Sequence, residues 1–409
     1  MLFLYNLLTY AAMGAIKIIA LFSPKIKLFV NGRKPVFEIL KQKISPNDKV
    51  IWFHAASLGE FEQGLPVMER IRERHPQHKI LLTFFSPSGY EVRKNTPAAD
   101  VVVYLPMDTK ANAERFIQLA HPDMVFFIKY EFWPNYLNAV RKRNSEAYLI
   151  SGLFREKQVF FKWYGGFYRE ALKAFRHFFV QYESSKQLLH NIGFTNVTVS
   201  GDTRYDRVSK ILERDNSLPF IEQFINGKTT LVFGSSWPKG EAMFTGFINK
   251  SADIKCIIAP HTVGESHIAE LKSSITKKTV LFSEMEGKDL SAYEVFIVDT
   301  IGILGKIYSY ADAAYVGGGF GTAGLHNILE PAAFGVPIVI GPNHGRFPEA
   351  VALVNLGGCL VVHNREDMEN TLTKLVYDAA YRAECGHIAG TFVHMNRGAV
   401  DTIMNKIAQ

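Results

Sequence analysis

Cysteine is scarce in this chain of 409 residues. The three cysteines, Cys256, Cys359 and Cys385, lie far apart, and none forms a CxxC pair. That spacing argues against a zinc site and favours a reducing compartment. We therefore expect the three thiols to be packing residues.

Low-complexity tracts, short repeats and recognisable nucleic-acid-binding motifs are also missing. Hydrophobic residues make up 47% of the chain and charged residues 21%, which is typical of ordered globular proteins, and the length favours two domains. The net charge of +7 and the isoelectric point near 9.0 favour an anionic partner, either a phosphorylated substrate, a lipid surface or a nucleic acid. Because no nucleic-acid motif is present, we expect no nucleic-acid partner.

Residues 1–22 are strongly apolar, although they contain Asn6, Thr9 and Lys17. No small-residue cleavage site follows cleanly, which favours a retained membrane anchor, residues 1–30, over a removed signal peptide. The run barely reaches the ~20 residues that cross a bilayer, so a spanning helix, an interfacial helix and a helix packed on the protein's own core all stay open. Basic residues after the run favour a cytoplasmic position for the rest of the chain.

Short β-rich apolar runs alternate with longer helical patterns from Lys49 onward, which is typical of parallel sheets covered by helices on both faces. We expect an α/β fold with two doubly wound, Rossmann-like domains facing across a cleft, where ligands bind outside the carboxyl ends of the strands. Residues 31–214 form the first domain and residues 215–385 the second, with a connection at 215–228. Residues 386–409 form a C-terminal helix, for which a return to the first domain is one option.

A glycine-rich segment, residues 317–342, follows the strand candidate that ends at Val316. The pattern predicts a turn, a helix from about His326 and another strand. In such a unit the glycines let the backbone approach a ligand closely, and the start of the helix attracts an anion. Glu330, about one helical turn further on, is placed to accept hydrogen bonds from a ribose diol. The segment is therefore interpreted either as a nucleotide-sugar site or as a packing turn of a parallel sheet.

Two carboxylates follow predicted strands in the N-terminal half. Glu60 stands at the start of the helix candidate after a strand, and Glu131 follows a buried strand directly, ahead of Pro134. A charge beside a buried strand is costly unless it has a partner or a task, so the pair suggests acid–base chemistry. For Glu60 alone, a favourable interaction with the helix dipole is an equally good explanation.

Five strings of residues occur in order over nearly the whole chain. They are HAASLGEF at 54–61, KYEFWPN at 129–135, SGDTRYDRV at 200–208, FGSSWPKGE at 233–241 and the glycine-rich segment. Each string is weak alone, but together they resemble the Kdo transferases. That family adds 3-deoxy-D-manno-octulosonate (Kdo) to the lipid A precursor during lipopolysaccharide assembly.

The resemblance implies a GT-B glycosyltransferase at the cytoplasmic side of the inner membrane, which binds the lipid A precursor with its first domain and CMP-Kdo with its second. It implies Glu60 as the general base and Glu131 as a second carboxylate of the active centre, with no metal and no cofactor. The acceptor-binding candidates are Ser57, Gly59, Arg33 and Lys34. The donor-binding candidates are Ser235, Ser236, Pro260, His261, Gly302, Ile303, Leu304, Gly318, Gly319, His326, Asn327, Ile328, Leu329 and Glu330.

The sequence departs from the family pattern at Ala259-Pro260-His261, where many members have Pro-Arg-His. The charge of the missing arginine must come from elsewhere. His261, Lys239 and Arg204 are candidates, and each is also explained as an ordinary surface or capping residue.

Several alternatives stay open at this level. The basic residues after the anchor meet either a lipid phosphate or only solvent, and the aromatic and basic segment 154–169 contacts a membrane or packs in a core. Another GT-B enzyme, one that uses a UDP-sugar with a lipid-linked acceptor or a related epimerase, is a second function, and a non-catalytic membrane-bound scaffold is a third.

Overall fold

The computed structural model describes residues 2–408; Met1, in the predicted anchor, and Gln409, in the predicted C-terminal helix, lie outside it. The helices are α1 (Leu2–Ile19), α2 (Pro24–Asn31), α3 (Val36–Lys43), α4 (Leu58–Arg74), α5 (Pro87–Arg93), α6 (Lys110–Ala120), α7 (Pro134–Arg143), α8 (Gly166–Leu172), α9 (Glu183–His190), α10 (Thr203–Ser209), α11 (Pro219–Ile225), α12 (Pro238–Lys250), α13 (Glu265–Ser273), α14 (Leu304–Ile307), α15 (Leu329–Ala333), α16 (Pro348–Leu356), α17 (Arg365–Tyr377), α18 (Ala379–Met395) and α19 (Ala399–Ile407). The strands are β1 (Lys49–Ala55), β2 (His78–Phe84), β3 (Val101–Tyr104), β4 (Met124–Ile128), β5 (Glu146–Gly152), β6 (Phe175–Val180), β7 (Val197–Val199), β8 (Thr230–Ser236), β9 (Lys255–Pro260), β10 (Thr279–Leu281), β11 (Val295–Ile297), β12 (Ala313–Val316), β13 (Ile338–Ile340) and β14 (Cys359–Val361).

These elements form two compact units, Met1–Arg207 with Arg397–Gln409, and Val208–Asn396. Each unit has a seven-stranded sheet, ordered β3-β2-β1-β4-β5-β6-β7 in the first and β10-β11-β9-β8-β12-β13-β14 in the second. Every strand pair is parallel. The prediction of an α/β fold with two parallel sheets is confirmed.

The first sheet is buried on both faces. Successive residues of a strand point to opposite sides, so Trp52 of β1 packs in one core and Phe53 in the other. The Trp52 side is covered by α3, α6 and α7, and the Phe53 side by α4 and α19. This double coverage explains why the strands appear in the sequence as continuous apolar runs.

The last helix, α19, completes the first unit. Its residues Val400, Ile403 and Met404 are buried beside α4. The Asp206 carboxylate accepts hydrogen bonds from the backbone N–H groups of Gly398 (2.8 Å) and Ala399 (3.1 Å), which otherwise lack partners at the start of the helix. By contrast, α18 lies in the second unit.

The segment 215–228 differs from the expected connection. It contains α11, whose residues Ile221 and Phe224 are fully buried in a core of the second unit. The proline and glycine that suggested a linker instead mark the ends of this helix, because Pro219 occupies its first position and Gly227 follows it.

Among residues 2–408, no helix has the length and apolarity needed to cross a membrane. Helix α1 contacts the first unit through Tyr5, which donates a hydrogen bond to Asp108 (2.7 Å), and through Asn6, which accepts one from Asn135 (2.9 Å). Its other face leaves large apolar side chains exposed. We call this set the outward apolar face: Phe3, Leu4, Leu7 and Leu8.

The aromatic segment 154–169 serves two purposes. Phe154 and Phe160 are buried in the first core, whereas Trp163 is 92% exposed and Tyr164 is half exposed. Tyr5 of α1 contacts the ring of Phe167 at 5.7 Å, so the exposed aromatic residues stand in a segment that also packs against α1.

Candidate active site

Glu60 lies in the first turn of α4, which begins shortly after β1 ends at Ala55, with Ser57 at the N-cap position of the helix. Its side chain is buried, and the Ser57 hydroxyl donates a hydrogen bond to its Oε2 atom. Within residues 2–408 the Glu60 carboxylate forms no ion pair, although burial usually demands one. The Glu60 carboxylate is thus held by a hydroxyl group and not by a cation.

Glu131 is positioned by a sharp turn at the end of β4. Lys129 adopts a φ of +71°, a conformation that residues other than glycine rarely adopt and that is frequent at functional sites. The Trp133 indole donates hydrogen bonds to Glu131 Oε2 (3.0 Å) and to His54 Nε2 (3.1 Å). His54 Nε2 lies 3.5 Å from the same carboxylate oxygen. Glu131 is therefore held by the Trp133 indole, with the His54 ring beside it.

A hydrogen-bonded chain below Glu131 determines the tautomer of His54. The Trp52 indole donates to Thr83 Oγ1 (2.8 Å), and His54 Nδ1 lies 2.8 Å from the same oxygen. Because His54 Nε2 accepts from Trp133, the ring hydrogen must be on Nδ1 and point to Thr83. All these groups come from the carboxyl ends of the neighbouring strands β2, β1 and β4.

Tyr130 joins the two carboxylates. Its pKa is raised by burial and then by the negative charges of Glu60 and Glu131, and its hydroxyl is hydrogen-bonded to Glu60. The structure thus brings together the predicted residues Ser57, Glu60 and Glu131. Tyr130, His54 and Trp133 were not predicted as site residues, although each lies in the same strings as the two glutamates.

The remaining acceptor candidates differ in their surroundings. A side chain at Gly59 would have open space, since its Cβ would approach nothing closer than Ser57 Oγ at 3.9 Å. Arg33 is largely buried and donates to the backbone oxygens of Phe29 (2.8 Å) and Phe85 (2.6 Å), whereas Lys34 is exposed. The Phe85 ring stacks on Trp133 at 4.6 Å, which links Arg33 to the carboxylates through one aromatic layer.

In the second unit, three strand ends form an aromatic cluster. β9, β8 and β12 are neighbours in the sheet, and they precede His261, Trp237 and His326, respectively. The rings of Trp237 and His261 stack at 4.5 Å, and the Trp237 indole donates to His326 Nε2 (2.9 Å). His326 Nδ1 therefore carries the ring hydrogen. Trp237 was not among the predicted site residues, although FGSSWPKGE contains it.

The two histidines are poor replacements for the missing arginine. Burial lowers the pKa of His261, and burial together with His261 lowers the pKa of His326 to about 4. Arg204 is ion-paired to Asp202, with 2.7 Å between Nη2 and Oδ2. Lys239, in the exposed first turn of α12, forms no ion pair in the described part of the chain and keeps a free positive charge.

Of the two serines, Ser236 is fully buried and donates to Glu241 Oε1 (2.7 Å), so its hydroxyl is already engaged. Ser235 adopts a φ of +50° at the same strand end and is partly exposed. Pro260 is the buried last residue of β9. Of these three residues, only Ser235 has a side chain that is exposed to solvent and could contact a ligand.

Close backbone packing explains why residues 317–319 are glycines. A Cβ on Gly317 would lie 1.9 Å from the Ser235 oxygen, and one on Gly319 would lie 2.7 Å from the Gly341 nitrogen. Gly318 has a φ of +97°, and its Cβ would meet the Gly324 oxygen at 2.0 Å. The close backbone approach predicted for a ligand is thus made by the protein itself.

The prediction that a helix begins near His326 is wrong. Helix α15 begins at Leu329 and has five residues. The His326 N–H is taken by the Gly317 oxygen (3.1 Å), and the Asn327 side chain accepts from the Leu329 N–H (3.1 Å), so a polar turn replaces the first helical turn. The anion attraction expected from a helix start at His326 is absent.

The other donor candidates are divided between surface and core. Asn327 is exposed and donates to Glu330 Oε1 (3.1 Å), which holds that carboxylate at the surface of the turn. The side chains of Ile328 and Leu329 are buried in the described structure, so they can offer only backbone groups. Gly302 (φ +97°) is exposed, and Ile303 and Leu304 follow it at the start of the short α14.

The sequence was compared with protein families and curated proteins. The family model described as 3-deoxy-D-manno-octulosonic-acid transferase (kdotransferase) matches residues 33–207. The Chlamydophila psittaci "3-deoxy-D-manno-octulosonic acid transferase" is 25% identical over 92% of this chain and 89% of its own. The Aquifex aeolicus protein of the same name is 27% identical over 83% of this chain and 91% of its own.

Residues 33–207 carry a Kdo transferase domain. The family model spans Arg33, Ser57, Glu60 and Glu131, and it ends where the first unit gives way to the second. The second unit lies outside that model, and its similarity to the Kdo transferases comes from the two relatives, whose matches cover most of the chain.

Solved structures agree with this fold. A UDP-GlcNAc 2-epimerase from Neisseria meningitidis has a TM-score of 0.64 at 15% identity, covering 88% of this chain and 99% of the other. MurG from Acinetobacter baumannii has a TM-score of 0.54 at 11% identity, with the same coverage. At these identities the likeness shows the fold alone.

Proposed function

We propose that the protein is an inverting glycosyltransferase of the GT-B kind that moves Kdo from CMP-Kdo onto the lipid A precursor. The observation that carries this proposal is the pair Glu60 and Glu131, two buried carboxylates that both lie near Tyr130 in a domain that matches the Kdo transferase family model. The acceptor is assigned to the first unit and the donor to the second. The cleft expected between two such domains stays a prediction.

Glu60 acts as the general base in this proposal. A sugar hydroxyl does not ionise at neutral pH, so a carboxylate must take its proton as the oxygen attacks the anomeric carbon of Kdo. The new bond forms between that oxygen and carbon, while the bond from the carbon to the CMP phosphate oxygen breaks and CMP leaves with the electron pair. Ser57 holds the Glu60 carboxylate in place, and Glu131 is the second carboxylate of the centre.

The departing CMP needs stabilisation of its negative charge. His326 Nδ1–H is available as a neutral donor, and Lys239 offers the free positive charge nearest in sequence to the Ser235 strand end. His326 is one of the predicted donor residues, and Lys239 follows two others, Ser235 and Ser236, in the sequence. We propose that these groups, without a metal or another cofactor, bind the donor phosphate; among residues 2–408 no three His, Cys, Asp or Glu side chains are grouped to hold a metal ion.

The acceptor lies in a membrane, and α1 provides a surface for it. The outward apolar face and the exposed Trp163 are suited to the boundary between headgroups and acyl chains. Lys25 and Lys27 follow in exposed positions, where basic residues gain about 1 kcal/mol each from anionic lipid. We propose an interfacial position on the cytoplasmic side of the inner membrane.

The Glu60→Gln variant tests the mechanism. Removing the base while keeping the shape of the side chain is expected to lower kcat about 10²- to 10⁴-fold. The product is measured by mass spectrometry with purified enzyme, CMP-Kdo and a defined lipid A precursor. Glu73→Gln, on the exposed face of the same helix, is the control and keeps full activity. A wild-type protein no more active than Glu60→Gln would contradict the proposal.

The donor is tested separately. With the lipid acceptor present, CMP-Kdo is expected to be consumed and UDP-GlcNAc left intact. Consumption of the UDP-sugar alone would instead identify a related GT-B enzyme on the same fold.

A further inference from the structure

A cavity of about 270 Å³ lies in the first unit beside α1 and α2. Its wall is mostly apolar and comes from these two helices, from α3 and from the segment after β3. The apolar lining residues are Met13, Ile16, Phe29, Val30, Phe37, Pro106 and Met107. We call this cavity the α1 slot. Its volume is that of about nine water molecules in the liquid, yet its lining offers water few partners.

Three positively charged side chains also line the slot. Lys17, Arg33 and Lys34 line the α1 slot together with Asn112. None of the three forms an ion pair with a carboxylate within residues 2–408. The slot therefore combines an apolar interior with uncompensated positive charge, which a ligand with an apolar tail and an anionic head would complement.

Arg33 gives independent support for an anion. Burial lowers its pKa to about 9, and its Nε atom is buried without a hydrogen-bond partner. Its guanidinium lies 3.5 Å from the centre of the Phe29 ring, a contact that only partly replaces an anionic partner. Arg33 is partly buried, and two backbone oxygens accept hydrogen bonds from its guanidinium, but it has no carboxylate partner. An anionic ligand would supply that partner.

The α1 slot is connected to the carboxylate site by aromatic rings. Phe29, in the slot wall, contacts Phe85 at 5.3 Å, and Phe85 stacks on Trp133 at 4.6 Å. Trp133 in turn donates to Glu131. One layer of aromatic rings thus links the wall of the slot to the carboxylate site.

We propose that the α1 slot holds one acyl chain of the phosphorylated lipid acceptor, while Lys17, Arg33 and Lys34 bind a phosphate of its head group. The inference rests on the proposed function, because it names the acceptor as the occupant. It adds that the enzyme recognises a chain drawn out of the bilayer, and not only the sugar and phosphate groups at the surface.

Cysteine protection tests occupancy without catalysis. The native cysteines are buried, so a cysteine introduced by Met13→Cys is the site that a maleimide labels. In phosphatidylcholine vesicles that contain the acylated, bisphosphorylated glucosamine disaccharide, labelling is expected to slow about tenfold at ten times the dissociation constant. Ile18→Cys, on the exposed side of the same helix, controls for coverage by the bilayer. Equal slowing at both positions, or none at Met13→Cys, would overturn the proposal.

Slot filling tests the contribution to the reaction. Ile16→Trp places a larger side chain in the α1 slot and is expected to raise KM for the acylated acceptor about tenfold, equivalent to 1.4 kcal/mol, with a smaller effect on the deacylated head group. Ile18→Trp makes the same change where the side chain is 63% exposed and is the matched control.

Comparing the two tryptophan variants with the wild type distinguishes a failure of the slot proposal from a failure of the proposed function. If Ile16→Trp and Ile18→Trp behave alike with both acceptors, the slot has no role in acceptor binding. If the wild type transfers no Kdo to either acceptor, the proposed function fails, whereas protection of Met13→Cys still reports whether the slot binds the lipid.

Discussion

At the scale of single residues, two glycines of α4 differ in the space that surrounds them. A Cβ at Gly59 has open space, whereas one at Gly64 would lie 2.2 Å from Ile128 Cδ1 in the core. Gly59→Ala is therefore expected to stabilise the helix by about 0.5–1 kcal/mol and to raise KM for the acceptor, because the methyl group narrows the space beside Ser57 and Glu60. Gly64→Ala is expected to lower the melting temperature.

Both glycine variants are measured by thermal unfolding and by acceptor saturation kinetics. A stabilised Gly59→Ala protein with unchanged KM would show that this space is not used by the acceptor.

His326 makes the protein sensitive to acid. Its pKa falls to about 4 in the folded protein, well below the ordinary value near 6.5, because burial and His261 disfavour the charged form. The folded state then binds fewer protons than the unfolded state, so stability falls as the pH drops from about 6.5 towards 4. Urea unfolding at pH 7 and at pH 4.5 is expected to show a smaller loss for His326→Gln than for the wild type. An equal loss in both proteins would contradict the assignment.

Glu60 and Glu131 were singled out as polar side chains that follow strands, and Ser57 was named beside the family resemblance. The structure places the three close together, and their roles in the reaction stay predictions. Tyr130 and Trp133 were missed because aromatic residues next to a strand are usually core residues, and only their hydrogen bonds distinguish them.

At the scale of elements, the glycine-rich turn depends on backbone packing. Gly319→Ala would bring its Cβ to 2.7 Å from the backbone nitrogen of Gly341, whereas at Gly321 the nearest atom lies at 4.0 Å. We expect Gly319→Ala to lower the melting temperature by several degrees, since neither backbone can move without disturbing β12 or β13. Gly321→Ala, in the same turn, is expected to leave it unchanged. Similar melting temperatures for the two variants would refute this explanation of the turn.

The elements also show where sequence patterns stop being informative. The strands were predicted because burial on both faces gives long apolar runs. Each of the six apolar runs of the N-terminal half corresponds to one of the strands β1 to β6. The helix start at His326 was wrong because the capping interactions of Asn327 and Gly317 depend on contacts across the turn. The strands β7 and β10 were not predicted, because only one of the three residues in each is buried and neither forms a continuous apolar run. The equally short β11 and β13 are fully buried, and their apolar runs were predicted.

At the scale of the whole molecule, charge and the outward apolar face are expected to act together on membranes. Leu7 is 54% exposed in α1, so Leu7→Asp removes apolar contact with lipid and adds repulsion from anionic head groups. Its partition onto phosphatidylglycerol vesicles, measured by sedimentation, is expected to fall about tenfold or more. Leu212→Asp, at a similarly exposed position in the second unit, is the control.

Added salt is expected to weaken vesicle binding of the wild type, because the net charge of +7 contributes through screened attraction. Vesicle binding that survives Leu7→Asp unchanged would show that α1 does not face the lipid.

Composition alone predicted an anionic partner but not its kind, since a positive net charge suits nucleic acid, lipid and phosphorylated substrates equally. The α1 slot adds what composition cannot contain, because it forms only when α1, α2, α3 and the segment after β3 are brought together.

The return of α19 to the first unit has a consequence for synthesis. The core beside α4 needs Ile403 and Met404, so it is completed only after residues 208–396 have left the ribosome, which takes roughly 10–40 s at the usual rate of translation. The second unit, continuous in the chain, is free to fold during that time. The half of the protein that is made first is thus the half that is finished last, and during this interval the surface of α4 is exposed to chaperones.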